Sequence, residues 1–104
     1  MTDRYILKDR EPVECHSLVK WANWFENADR IVKQEEIGHV KISTVFLGLD
    51  HSFGNGLPLP FETMIFGGKH DQYQDRCYSW DEAEAMHQKA VNLVKDEEPC
   101  QTKQ

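Results

Sequence analysis

The fold is decided by residues 40–66, VKISTVFLGLDHSFGNGLPLPFETMIF. In its first part, Val40, Ile42, Thr44 and Phe46 alternate with Lys41, Ser43 and Val45, which is the period of a strand with one face toward a core. From Val45 to Leu49 the chain is apolar on both faces, so something is expected to cover both sides there. Phe61–Phe66 is a second strand, closed by Gly67-Gly68. Between the two lies an insert, Asp50–Pro60, with two glycines and two prolines. Hairpins close with about 2–5 residues, and longer loops are often functional. The insert is therefore expected to be a binding loop, with Asp50, His51, Ser52 and Asn55 as polar contacts and Phe53 and Leu57 as apolar ones. The competing reading has Phe53, Leu57 and Leu59 plugging the end of the core.

Working outward, Gly38-His39 turns an upstream strand, Arg30–Ile37, into Val40, and Tyr73–Tyr78 supplies a further strand. Tyr5-Ile6-Leu7 is a short strand before a polar turn, and Pro12-Val13 starts a return segment or a helix approach. From His16 to Asn27 an amphipathic helix is expected, with Leu18, Trp21, Ala22, Phe25 and Ala28 as its stripe and Trp24 at one edge. Ser79-Trp80-Asp81-Glu82 spells a capping box. It opens a helix to about Lys95 whose inner face is Trp80, Ala83, Met86, Ala90, Leu93 and Val94. The order predicts an α+β two-layer sandwich: a mostly antiparallel sheet of four to five strands with two amphipathic helices on one face. One domain over residues 1–94 and a disordered tail over 95–104 complete this expectation.

Composition bounds the function. The 104 residues suit one domain, and 39% hydrophobic residues suffice for a packed core. The net charge of −6 argues against a nucleic-acid backbone as partner. No apolar run reaches the ~18–20 residues of a membrane span, and the N-terminus lacks the pattern of a secretory signal. Cys15, Cys77 and Cys100 form no CxxC pair, which fits free thiols in a reducing cytoplasm.

Two candidate site residues lie outside the loop. Glu62 shares a strand face with Met64 and Phe66, so its carboxylate must be paired, exposed at the sheet end or raised in pKa; exposure is the expectation. His87 sits at the margin of the second helix's stripe as a core-edge histidine or a ligand contact. Histidines 16, 39, 51, 70 and 87 show no metal-ligand spacing, so neither metal nor cofactor is expected. No nucleophile elbow or phosphate loop occurs.

STVFLGLDHSFG (Ser43–Gly54), FETMIFGG (Phe61–Gly68) and YSWDEAEAMH (Tyr78–His87), with YIL and WANWFE upstream, resemble a family of small phage- and prophage-encoded proteins of unknown function. The resemblance spans about residues 4–91 and carries no catalytic residues. It implies an accessory protein in the cytoplasm of a bacterial host. Joined to the residue reading, it gives a non-enzymatic protein that binds a host protein or a small molecule, with counter-defence among its roles. Alternatives are a small metal-dependent or acid/base hydrolase using Asp50, His51 and Glu62, and a virion or assembly component. A homodimer is expected, because Val45, Leu47 and Leu49 face away from Phe46.

Overall fold

The computed structural model describes residues 4–49 and 58–102, with side chains through Asp96. The elements run β1 (Tyr5–Lys8), β2 (Glu11–Glu14), α1 (Leu18–Asn27), β3 (Ile31–Ile37), β4 (Val40–Phe46), β5 (Phe61–Phe66), β6 (Gln74–Cys77) and α2 (Trp80–Thr102). The fold is α+β, with every strand pair antiparallel. β3 to β6 form a four-stranded meander in chain order. β1 is not part of that sheet: it pairs with β2 as a separate hairpin. Pro12-Val13 is thus a return strand, turned at Asp9 and Arg10, which both take positive φ.

Cross-strand register sorts the main sheet into rows. On the inner face run Phe46–Phe61–Cys77, Lys33–Thr44–Thr63–Asp75 and Glu35–Ile42–Ile65. On the outer face run Ile31–Val45–Glu62–Arg76, Gln34–Ser43–Met64–Gln74 and Glu36–Lys41–Phe66. α2 packs against all four strands from the inner side, burying Ala83, Met86, His87, Ala90, Val91 and Val94. These recur at three- and four-residue steps, as one helix face requires. Leu93, expected inside, is only half-buried, and Val91 and His87 fill the stripe instead. The helix also continues past Lys95 to Thr102.

The start of α2 follows the capping box. The Ser79 hydroxyl accepts from the Glu82 N–H at 3.1 Å, and the Glu82 carboxylate accepts from the Ser79 N–H at 3.1 Å. α1 begins at Leu18, with Ser17 accepting from the Lys20 N–H. Its inward face is rotated from the expected stripe: Leu18 is 59% exposed, while Trp24 packs with Phe46. A short helix whose aromatics outweigh its aliphatics is oriented by where the rings dock. Trp24 docks edge-on to Phe46, at 5.6 Å between centroids, at the same inner-face end that α2 covers.

Candidate functional site: the braced stem of the long loop

The β4–β5 ladder closes at Phe46 opposite Phe61, and the Leu47 N–H continues it by donating to Pro60 O at 2.6 Å. At this point a tight turn would have sufficed. Instead the chain leaves through Leu47, Gly48 and Leu49 and returns through Pro58, Leu59 and Pro60.

Three elements hold the outgoing arm. Gly48 O accepts from the Tyr5 N–H at 2.8 Å and from the Trp21 indole N–H at 3.0 Å. The same indole N–H reaches Tyr5 O at 3.1 Å, and Arg4 bridges Leu49 in antiparallel sense. The indole thus ties α1 to β1 and to the stem together. Phe25 stacks on Trp21 at 4.8 Å, and the Arg30 guanidinium covers its ring at 3.8 Å. This pile closes over Gly48, where an added Cβ would sit 3.1 Å from the Phe25 ring. Gly48 has φ +79, a conformation that costs other residues dearly. A side chain there is strained by the backbone, and the Phe25 ring would have to give by a few tenths of an ångström to admit it.

Asp50, His51, Ser52, Phe53 and Asn55, the polar and aromatic candidates of the loop, lie outside the described residues. The other two candidates do not meet each other. Glu62 points to the outer face and His87 lies against the inner one. Glu62 is not exposed at the sheet end, as expected, but paired within the sheet. Its carboxylate accepts from Arg76 Nε and Nη2, both at 3.1 Å, and from the Gln74 amide. Its side chain is only 12% exposed. The partners come from β6, where register sets Arg76 opposite Glu62.

His87 is not marginal. It is 1% exposed at the centre of the α2–sheet contact. Nδ1 lies 2.7 Å from Thr44 Oγ1, and Thr44 Oγ1 lies in turn within hydrogen-bond distance of Thr63 Oγ1. Nε2 lies 3.2 Å from Glu35 Oε2, which also faces Lys33 Nζ at 3.4 Å. The carboxylate can only accept, so Nε2 carries the proton of a neutral ring. Nδ1 then accepts from the Thr44 hydroxyl, which accepts from Thr63. Every donor in the chain has a place. Burial pushes the His87 pKa below its ordinary value, against the pull of Glu35. Sequence reasoning missed Thr44, Thr63 and Glu35 as its partners. The signal was there: two threonines interrupt the apolar faces of adjacent strands, Ile42–Phe46 and Phe61–Ile65.

The arrangement resembles a hydroxyl–imidazole–carboxylate relay, but Thr44 and Thr63 are wholly buried and no substrate reaches them. The Cys77 thiol is no nucleophile either; burial, then Glu82 and Asp75, push it up to about 12. Among the described residues no cluster of three or more His, Cys, Asp or Glu has the geometry to hold a metal. No described helix is long and apolar enough to cross a membrane. A hollow of about 310 Å³ lies between the β1–β2 turn and the start of α2. The Arg10 guanidinium covers Trp80 there at 4.8 Å, which ties the hairpin tip to the helix.

No family model, curated protein or solved structure matches the chain.

Proposed function

We propose that this is a non-enzymatic binding protein whose contact element is the Asp50–Pro60 loop. The role is that of a small phage accessory protein acting on a host protein in the bacterial cytoplasm. The observation that carries this reading is the stem. Leu47, Gly48 and Leu49 are held by β1, by α1 and by the β4–β5 ladder together, far more bracing than a connector needs. A loop on a rigid base loses less entropy on binding, and Pro58 and Pro60 act in the same direction. The two described candidates, by contrast, are already engaged. Glu62 is bound by Arg76 and Gln74, and His87 is sealed inside, so these two offer no acid–base pair to a common substrate.

The test is site-specific photo-crosslinking in the bacterial cell. A photoreactive residue at Phe53 is compared with the same residue at Lys89, on the exposed side of α2. Position 53 is expected to give a discrete protein adduct that position 89 does not. Adding Asp50→Ala with His51→Ala should abolish the adduct while the melting temperature stays unchanged. Equal labelling from both positions, or an adduct indifferent to the double substitution, overturns the proposal.

A further inference from the structure

The outer face of the sheet poses a separate problem. α2 occupies the inner side, and neither α1 nor the β1–β2 hairpin packs on the outer one among the described residues. At its centre lie Val45 and Met64, flanked by Phe66, 45% exposed, and Ile31, 47% exposed. Ser43, Val45, Glu62, Met64 and Phe66 enclose a hollow of about 140 Å³. That is well below the ~300 Å³ at which pockets begin to enclose small molecules. It suits a protruding side chain from another protein surface.

The polar groups of this face identify which surface. Gln34 donates to Ser43 Oγ at 2.9 Å. Glu62 is satisfied by Arg76 and Gln74. Glu36 and Lys41 stand opposite each other in register. Two carboxylates, Glu36 and Glu62, face two cations, Lys41 and Arg76, so the face is neutral on a chain of net charge −6. A basic or an acidic partner has no field to read here. Two copies of an acidic chain repel on average, and a face whose charges cancel locally adds least to that repulsion. Burying the face also strands no polar group at its centre, because the partners are already on the same chain.

We infer that the outer face of β3–β6 is a self-association surface, taken by the same face of a second copy. The two sheets stack about 10 Å apart, as sheets do face to face. The contact is isologous, so Phe66 of each copy is set to enter the hollow of the other. This inference rests on the sheet, not on the loop, and the two proposals stand or fall apart.

Sedimentation equilibrium of the full chain over a wide concentration range tests it. The apparent mass should climb from 12.2 kDa toward twice that value. Met64→Glu and, separately, Phe66→Lys should each hold the chain at the monomer mass with an unchanged circular dichroism spectrum. Phe66 is exposed at the rim, so its variant keeps the test sound if Met64→Glu does not fold. Val19→Glu, on the 69% exposed outer side of α1, should leave association intact. A monomer at every concentration overturns the inference. So does a dimer that survives the folded sheet variants, or one that only Val19→Glu dissolves.

Discussion

Gly48 concentrates several constraints on one residue. Its carbonyl accepts two hydrogen bonds, its φ is +79, and an added Cβ would crowd the Phe25 ring at 3.1 Å. Gly48→Ala is expected to destabilise the protein by about 1–3 kcal/mol, the cost of a non-glycine residue held in a sparsely populated backbone region. The loss should be local as well as global. The Trp21 indole depends on the placement of Gly48 O, so its fluorescence should shift in the folded variant. A urea titration followed by tryptophan fluorescence, with Trp24 and Trp80 replaced by Phe in both chains, and by far-ultraviolet circular dichroism checks both. An unchanged midpoint would mean that the stem relaxes freely and is not braced. Sequence alone could not single out Gly48 among six glycines, because the φ and the ring above it are tertiary facts.

Elements were more legible than residues wherever their signal was local. The capping box at Ser79–Glu82 depends on residues three apart, and it formed as written. Ser79→Ala should therefore cost about 1 kcal/mol, the usual size of a lost N-cap. A urea midpoint that does not move would show that the Glu82 half of the box suffices. The strands of the main sheet were legible for the same reason, since alternation is a two-residue signal. Three features were not. The β1–β2 pairing depends on a turn through Asp9 and Arg10 that lacks the usual glycine or asparagine. The α1 face was misread because rings, not periodicity, orient a ten-residue helix. Glu62 was misread because its partner Arg76 lies on another strand, and only register brings the two together. For the loop candidates Asp50, His51, Ser52, Phe53 and Asn55, sequence reasoning supplied the residues, and the structure added the stem beneath them.

At the scale of the whole molecule the core, among the described residues, is two apolar clusters, not one. Val40, Ile42, Ile65, Ala90, Val91 and Val94 form the first, and Tyr5, Phe46, Phe61, Ala83 and Met86 the second. Between them passes the row Thr44–Thr63, with His87 set down on it from α2. This polar belt fixes how the helix sits. Sliding α2 by one turn would press His87 against phenylalanines or isoleucines and leave Thr44 without its partner, and each stranded group costs about 1–3 kcal/mol. The belt also makes stability depend on pH, with a sign that decides between two opposed effects. Burial disfavours the imidazolium and Glu35 favours it, and burial is the larger. The folded pKa therefore lies below the unfolded value of about 6.5. As pH falls through 6.5, the unfolded chain takes up the proton first. The stability contributed by neutral His87 is complete above that pH and drains away as the pH drops toward the folded value. The slope from this one group can approach but not exceed about 1.4 kcal/mol per pH unit. Protonation would also force Thr44 to accept from Nδ1–H, reversing the hydroxyl chain. Urea midpoints measured from pH 7.5 to 5 should fall on acidification in the native chain, and less steeply in His87→Gln, which cannot titrate. The difference between the two curves isolates His87 from the carboxylates common to both. If instead the native chain gains stability relative to His87→Gln on acidification, the Glu35 carboxylate outweighs burial, and the histidine is held as one half of a buried ion pair.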